Sequence, residues 1–145
     1  MNLNELRDKA YRNAVTHGFH DEELSNEHCL CLVISELMEA VKADRKGRFA
    51  KVPVDKKGTI FDERTFHYQN KYFAENFETY IKDCVEDELA DACIRLLDLA
   101  GLRNISIDDF SGEMIYEATE SCNNETFTES IYAISTIPIR CEYEY

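Results

Sequence analysis

Two pairs of carboxylates carry the strongest chemical signal in this chain: Glu36 with Glu39 and Glu88 with Asp91, each pair three residues apart. On an α-helix that spacing sets the partners about 60° apart around the axis and about 4.5 Å apart along it, so each pair shares a face. If the pairs converge, each carboxylate contact of about 4 Å is repulsive by roughly 4 kcal/mol at an effective dielectric near 20. Such a cluster calls for cations. Ligation by oxygen alone suits Mg2+, with Mn2+ as the substitute, better than zinc, and a common task of such a cage is to hold a polyphosphate. A bound triphosphate brings further negative charge, so two or more ions and some cationic side chains are expected with it. Lys46 lies seven residues after Glu39 and returns to its face, and Arg48 follows closely. Arg95, four residues after Asp91, can reach a phosphate or pair with Asp91 and orient it, and the second role is favoured. Asp98 continues the same stripe as a supporting residue rather than a fifth ligand.

Helices must position these groups. Leu3, Leu6, Ala10 and Ala14 recur at helical spacing behind Asn2 and Glu5, which predicts a first helix over about 3–17, ending at Gly18. Ser25 or Asn26 can cap a second helix that runs to about Gly47 along the stripe Leu30, Ile34, Leu37 and Val41. Its opposite face holds Cys29, Leu32 and Ala43 beside the two glutamates, so both sides are substantially apolar, as in a helix inside a bundle. A third helix is expected from Phe77 to Leu102, with Glu88, Asp91, Arg95 and Asp98 on a narrow polar stripe. Leu89, Ala90, Cys93, Ile94, Leu96, Leu97 and Ala100 should wrap the rest of it in apolar surface. Beyond it, Asp108 or Asp109 can cap a short helix through about Ser121, and Phe127–Ile137 fits either helix or strand.

The 145 residues suit one domain, 1–145, and the all-α reading includes a long connector between the second and third core helices. That connector concentrates positive charge. Nine of the 16 Lys and Arg lie between 42 and 71 against four acids, so this stretch is +5 and the remainder −18 within a net charge of −13. An acidic chain repels DNA and RNA, which argues against nucleic acid as a partner. The longest apolar run, Cys29–Ile34, is far too short to span a bilayer, and charges at Glu5, Arg7, Asp8 and Lys9 interrupt any export signal, so a cytoplasmic location without membrane contact is expected. The six cysteines form no CxxC pair and are expected to be reduced, buried structural thiols.

The runs SELMEAVKADRKGR (35–48) and EDELADACIRLLDLAG (86–101), an ExxE followed by an ExxD, resemble the MazG-like all-α nucleoside triphosphate pyrophosphohydrolases, relatives of dimeric dUTPases and dCTP pyrophosphatases. The resemblance spans about 25–102 and leaves 103–145 unmatched. It implies a helical bundle of four-helix type, assembly as a homodimer or homotetramer, Mg2+ dependence, and hydrolysis between the α and β phosphates to give NMP and pyrophosphate. The family's metal-binding carboxylates fall on Glu36, Glu39, Glu88 and Asp91, while Lys46, Arg48 and Arg95 are candidate substrate contacts from their own spacing and charge. Two departures accompany it. Ser35 stands where many members carry a third glutamate, and the 48 residues between Glu39 and Glu88 make a longer connector than is common. Asn13 and His17, on one face of the first helix, and Phe49, Phe61, Tyr68 and Tyr72 of the connector are further candidates to meet a nucleotide.

Two rival readings exist. A di-iron carboxylate bundle needs Glu-x-x-His on two helices, and Asp91 occupies the place of such a histidine. A nucleotide- and metal-binding regulatory module, weak in catalysis, would keep the acids, and Ser35 is consistent with it.

Overall fold

Helix boundaries follow the capping residues. The computed structural model describes residues 2–51, 73–107 and 112–140, and all the regular structure in them is helical. Helix α1 (Leu3–Thr16) starts where the Asn2 side chain accepts a hydrogen bond from the Glu5 amide, and the chain leaves it through Gly18 at φ 76°. Ser25 caps α2 (Asn26–Arg45) by accepting from the His28 amide, and Gly47, at φ 62°, provides the left-handed turn after it.

The expected third helix is two helices. Short α3 (Phe73–Tyr80) and long α4 (Val85–Leu102) are separated by a turn in which Asp83 adopts φ 57°. Aspartate tolerates this left-handed conformation better than most residues. Its amide donates to the Asp87 carboxylate, and the Val85 amide donates to the Arg48 carbonyl at 3.0 Å. The first turn of α4 is thereby tied to the chain leaving α2. The connector residues 52–72, which include Phe61, Tyr68 and Tyr72, and the Asp108 and Asp109 caps lie outside the described residues.

The C-terminal part begins with α5 (Gly112–Thr119) and a 3-10 turn (Glu120–Cys122). The segment that fitted helix or strand is helix α6 (Phe127–Arg140), opened by a reciprocal cap: the Thr126 amide donates to the Glu129 carboxylate, and the Glu129 amide donates to Thr126 Oγ1.

Val33 and Leu37 of α2, Ala92 of α4 and Ile131 of α6 form the core, with Val41, Leu89, Phe127 and Ile134 packed around them. Helix α1 lies on α4, where a Cβ at Gly101 would stand 2.5 Å from Tyr11 Cβ. Only glycine permits that approach. At the far end of α4, Arg103 donates to Asn26 Oδ1 and to the Leu24 carbonyl, tying it to the start of α2.

Three sequence expectations are corrected here. Helix α2 buries Cys29, Val33, Leu37, Ala40 and Ala43 but exposes Cys31, Ser35, Met38, Lys42 and Arg45, so it does have a solvated back. Ala90, Cys93, Ile94 and Leu96 of α4 are exposed too, because α1 and α2 cover only part of its circumference. Of the thiols, Cys29, Cys84 and Cys122 are buried, whereas Cys31 and Cys93 are exposed. No described helix is long and apolar enough to cross a membrane.

Candidate metal centre

Packing of α2 against α4 through Leu37 and Ala92 fixes where the acids on their shared edge must go. Glu36, Glu88 and Asp91 each offer one carboxylate oxygen, and the three oxygens lie within 4.8 Å of one another. Around an octahedral Mg2+ with bonds of about 2.1 Å, adjacent ligands stand about 3.0 Å apart and opposite ones about 4.2 Å, so the three oxygens would draw closer together to share one ion. The donor set is entirely oxygen, which suits a hard divalent cation.

Glu39, the fourth acid of the sequence pattern, is not part of this trio. Its Oε2 accepts from Lys42 Nζ at 2.6 Å, and both side chains are about half exposed. Lys42 sits three residues further along α2, so the same helical spacing that pairs the glutamates also pairs Glu39 with a cation.

The electrostatics of the trio are those of anions held close without full compensation. Burial pushes the Glu88 carboxyl above the ordinary range, and the neighbouring charges of Asp87, Glu36, Glu39 and Asp91 push it further. Asp91 is raised chiefly by burial, then by Asp87 and Glu36, with Arg95 opposing. Arg95 supplies that relief from a position the sequence did not indicate. Its Nε donates to Glu36 Oε1 at 3.2 Å, across the helix interface, rather than pairing with Asp91 along its own helix. Arg95 is therefore an orienting partner of Glu36.

Two hollows flank the trio. One, of about 160 Å3, is lined by Glu39, Glu88 and Asp83 together with Lys42, Lys46 and Arg48. The backbone of 48–51 is strapped in place beside it: Ala50 N–H donates to Glu86 Oε2 at 2.8 Å, which holds the Glu86 carboxyl below its usual range, and Lys51 N–H donates to the Tyr80 carbonyl. Arg48 Nη1 reaches Asp83 at 3.9 Å, and Lys46 has no ion pair among the described residues. The other hollow, of about 240 Å3, lies between α1 and α4 and is lined by Asp91, Arg95, Asp98, Asn13 and Phe19, among others. His17 turns back on its own helix, where Nδ1–H donates to the Asn13 carbonyl, and Phe49 is exposed.

Sequence reasoning missed His20. Its Nε2 lies 2.8 Å from Asp98 Oδ1, although 78 residues separate the two, and no local spacing announces such a pair. No family model, curated protein or solved structure matches this chain.

Proposed function

We propose that this protein is a Mg2+-dependent nucleoside triphosphate pyrophosphohydrolase of MazG-like type, which cleaves between the α and β phosphates to give NMP and pyrophosphate. One observation carries the reading: three carboxylate oxygens from two helices within 4.8 Å, beside a hollow lined by Lys42, Lys46 and Arg48.

In this reading Glu36, Glu88 and Asp91 hold Mg2+ or Mn2+. The ion, when bound, neutralises phosphate charge and lowers the pKa of an attacking water. The chain's own residues do the rest. Arg95 fixes the rotamer of Glu36, so that carboxylate keeps its orientation. Lys46 and Arg48 receive the β and γ phosphates, the charge that develops on the departing pyrophosphate being stabilised by their cations. Helix α4 presents Glu88 in its first turn, the end at which a helix favours negative charge. Incubation of the pure protein with canonical and modified NTPs and dNTPs plus Mg2+ tests the proposal; pyrophosphate is expected from at least one, and none from any would refute it.

One observation favours the second reading, a nucleotide- and metal-binding regulatory module with little turnover. Glu39 is engaged by Lys42, which leaves three acids in the cluster. Nucleotide binding by calorimetry without pyrophosphate release would select this alternative. The proposal also includes assembly into at least a homodimer, supported by exposed apolar Met38, Ile94 and Leu96 around the α2–α4 pair. Light scattering near the monomer mass of 16.8 kDa would contradict that part.

A further inference from the structure

Resting on the hydrolase reading above, we infer that Asp98, held by His20, is a specificity-determining residue that accepts a hydrogen bond from a donor group on the nucleoside of the substrate. The two hollows beside the carboxylate trio differ in charge. The one at the start of α4 sets Lys42, Lys46 and Arg48 against three carboxylates. The one between α1 and α4 holds a single cation, Arg95, already bonded to Glu36, against Asp91 and Asp98. Three cations balance three carboxylates in the first hollow, whereas the second is left with an excess negative charge, so phosphate oxygens are better accommodated in the first. A triphosphate that meets the trio therefore points its nucleoside toward Asp98.

The Asp98 carboxylate is built to be an acceptor. Its Oδ1 meets His20 Nε2 at 2.8 Å, and its other oxygen has no hydrogen bond among the described residues. His20 is itself locked: only 9% of its side chain is exposed, and the ring sits 5.4 Å from that of Tyr11. His20 Nδ1 is buried with no partner among the described residues. The Asp98 carboxylate can only accept, so the ring donates to it through Nε2–H, and an unprotonated Nδ1 avoids burying a donor without an acceptor. This fixes the carboxylate without neutralising it. Asp98 also lines a neighbouring hollow with Phe19, Arg95 and His28, and Phe19 is 56% exposed, an apolar face beside the acceptor on which a base or sugar can lie. Groups able to satisfy Asp98 are an exocyclic amine or ring N–H of the base and a hydroxyl of the sugar. Their shared chemistry is a neutral donor.

The test is binding by calorimetry in Mg2+, with α,β-methylene nucleoside triphosphates, which resist cleavage, compared with inorganic tripolyphosphate, which has no nucleoside. Wild type should bind at least one nucleotide about tenfold or more tighter than tripolyphosphate. Asp98→Asn should lose that advantage while holding tripolyphosphate within about twofold, which also shows that the variant is folded. His20→Ala, which leaves Asp98 in place but unheld, should lose a smaller part of it. Ribo against deoxyribo pairs, and amino against oxo bases, identify the donor: the pair whose discrimination vanishes in Asp98→Asn names it. An undiminished nucleoside advantage in Asp98→Asn, or an equal loss for tripolyphosphate, overturns the inference and leaves the hydrolase reading standing. Failure of wild type to bind either class overturns both.

Discussion

The two faces of the α2–α4 pair answer to opposite demands. On one, Val33, Leu37 and Ala92 close against Ile131 of α6 in a dry contact. On the other, Glu36, Glu88 and Asp91 stand together as anions, with Arg95 as the cation bonded to one of them. The apolar face sets the separation of the helices, and the charged face inherits it. Folding energy is thus spent holding together groups that would move apart in a free chain, an arrangement expected where function is served at the expense of stability.

Substitutions on the two faces should therefore fail differently. Glu88→Gln removes one ligand of the trio and should lower the rate of pyrophosphate release by about 100-fold or more, since even the loss of an outer partner of a metal ligand costs 10–100-fold; steady-state assays in Mg2+ measure it. The same variant should remain fully folded. Leu37→Ala, at a residue only 6% exposed, should instead cost about 3 kcal/mol of stability in urea unfolding, through lost burial and the cavity left behind. Gly101→Ala drives a methyl to 2.5 Å from Tyr11 Cβ and should cost about 1–3 kcal/mol, read by the same melts, as α1 is levered off α4. Unchanged stability in Leu37→Ala would contradict the role of the apolar contact between α2 and α4, and in Gly101→Ala the close seating of α1 on α4.

A smaller effect sharpens the contrast. Glu88 and Asp91 have carboxyl pKa values raised in the folded protein, so the native state takes up protons at a higher pH than the unfolded chain does. Their contribution to stability therefore falls as pH rises from the ordinary carboxylate value, about 4, through the raised one, and stays unfavourable above it. Without metal, Glu88→Gln should exceed wild type in stability near neutral pH, and the difference should shrink as the solution is acidified. Urea melts in a chelator across that range check the sign; a difference that grows on acidification would contradict it.

The parts of the molecule differ equally in how far they were legible. Asn2, Ser25, Gly18 and Gly47 mark helix ends by local chemistry, and the structure places α1 and α2 accordingly. The Thr126 and Glu129 cap was readable in the same way and would have decided between helix and strand for α6. The break before α4 was not readable, because it depends on Asp83 at a positive φ and on an amide of Val85 satisfied by Arg48, 37 positions earlier in the chain. At the candidate centre, helical spacing indicated which acids share a face. It could not choose between partners at equal spacing, so Glu39 going to Lys42 and Arg95 reaching across to Glu36 were visible only once α2 and α4 were packed. The pairing of His20 with Asp98 has the same origin, two segments joined by tertiary structure alone.

Titration of the protein with Mn2+, followed by electron paramagnetic resonance, tests the central claim most directly, because it reads the ion and not its consequences. Wild type should show saturable binding that Mg2+ displaces, and Glu36→Gln/Glu88→Gln/Asp91→Asn should lose it while keeping its helical circular dichroism. No saturable site in wild type, or an unchanged one in the triple variant, would contradict the account.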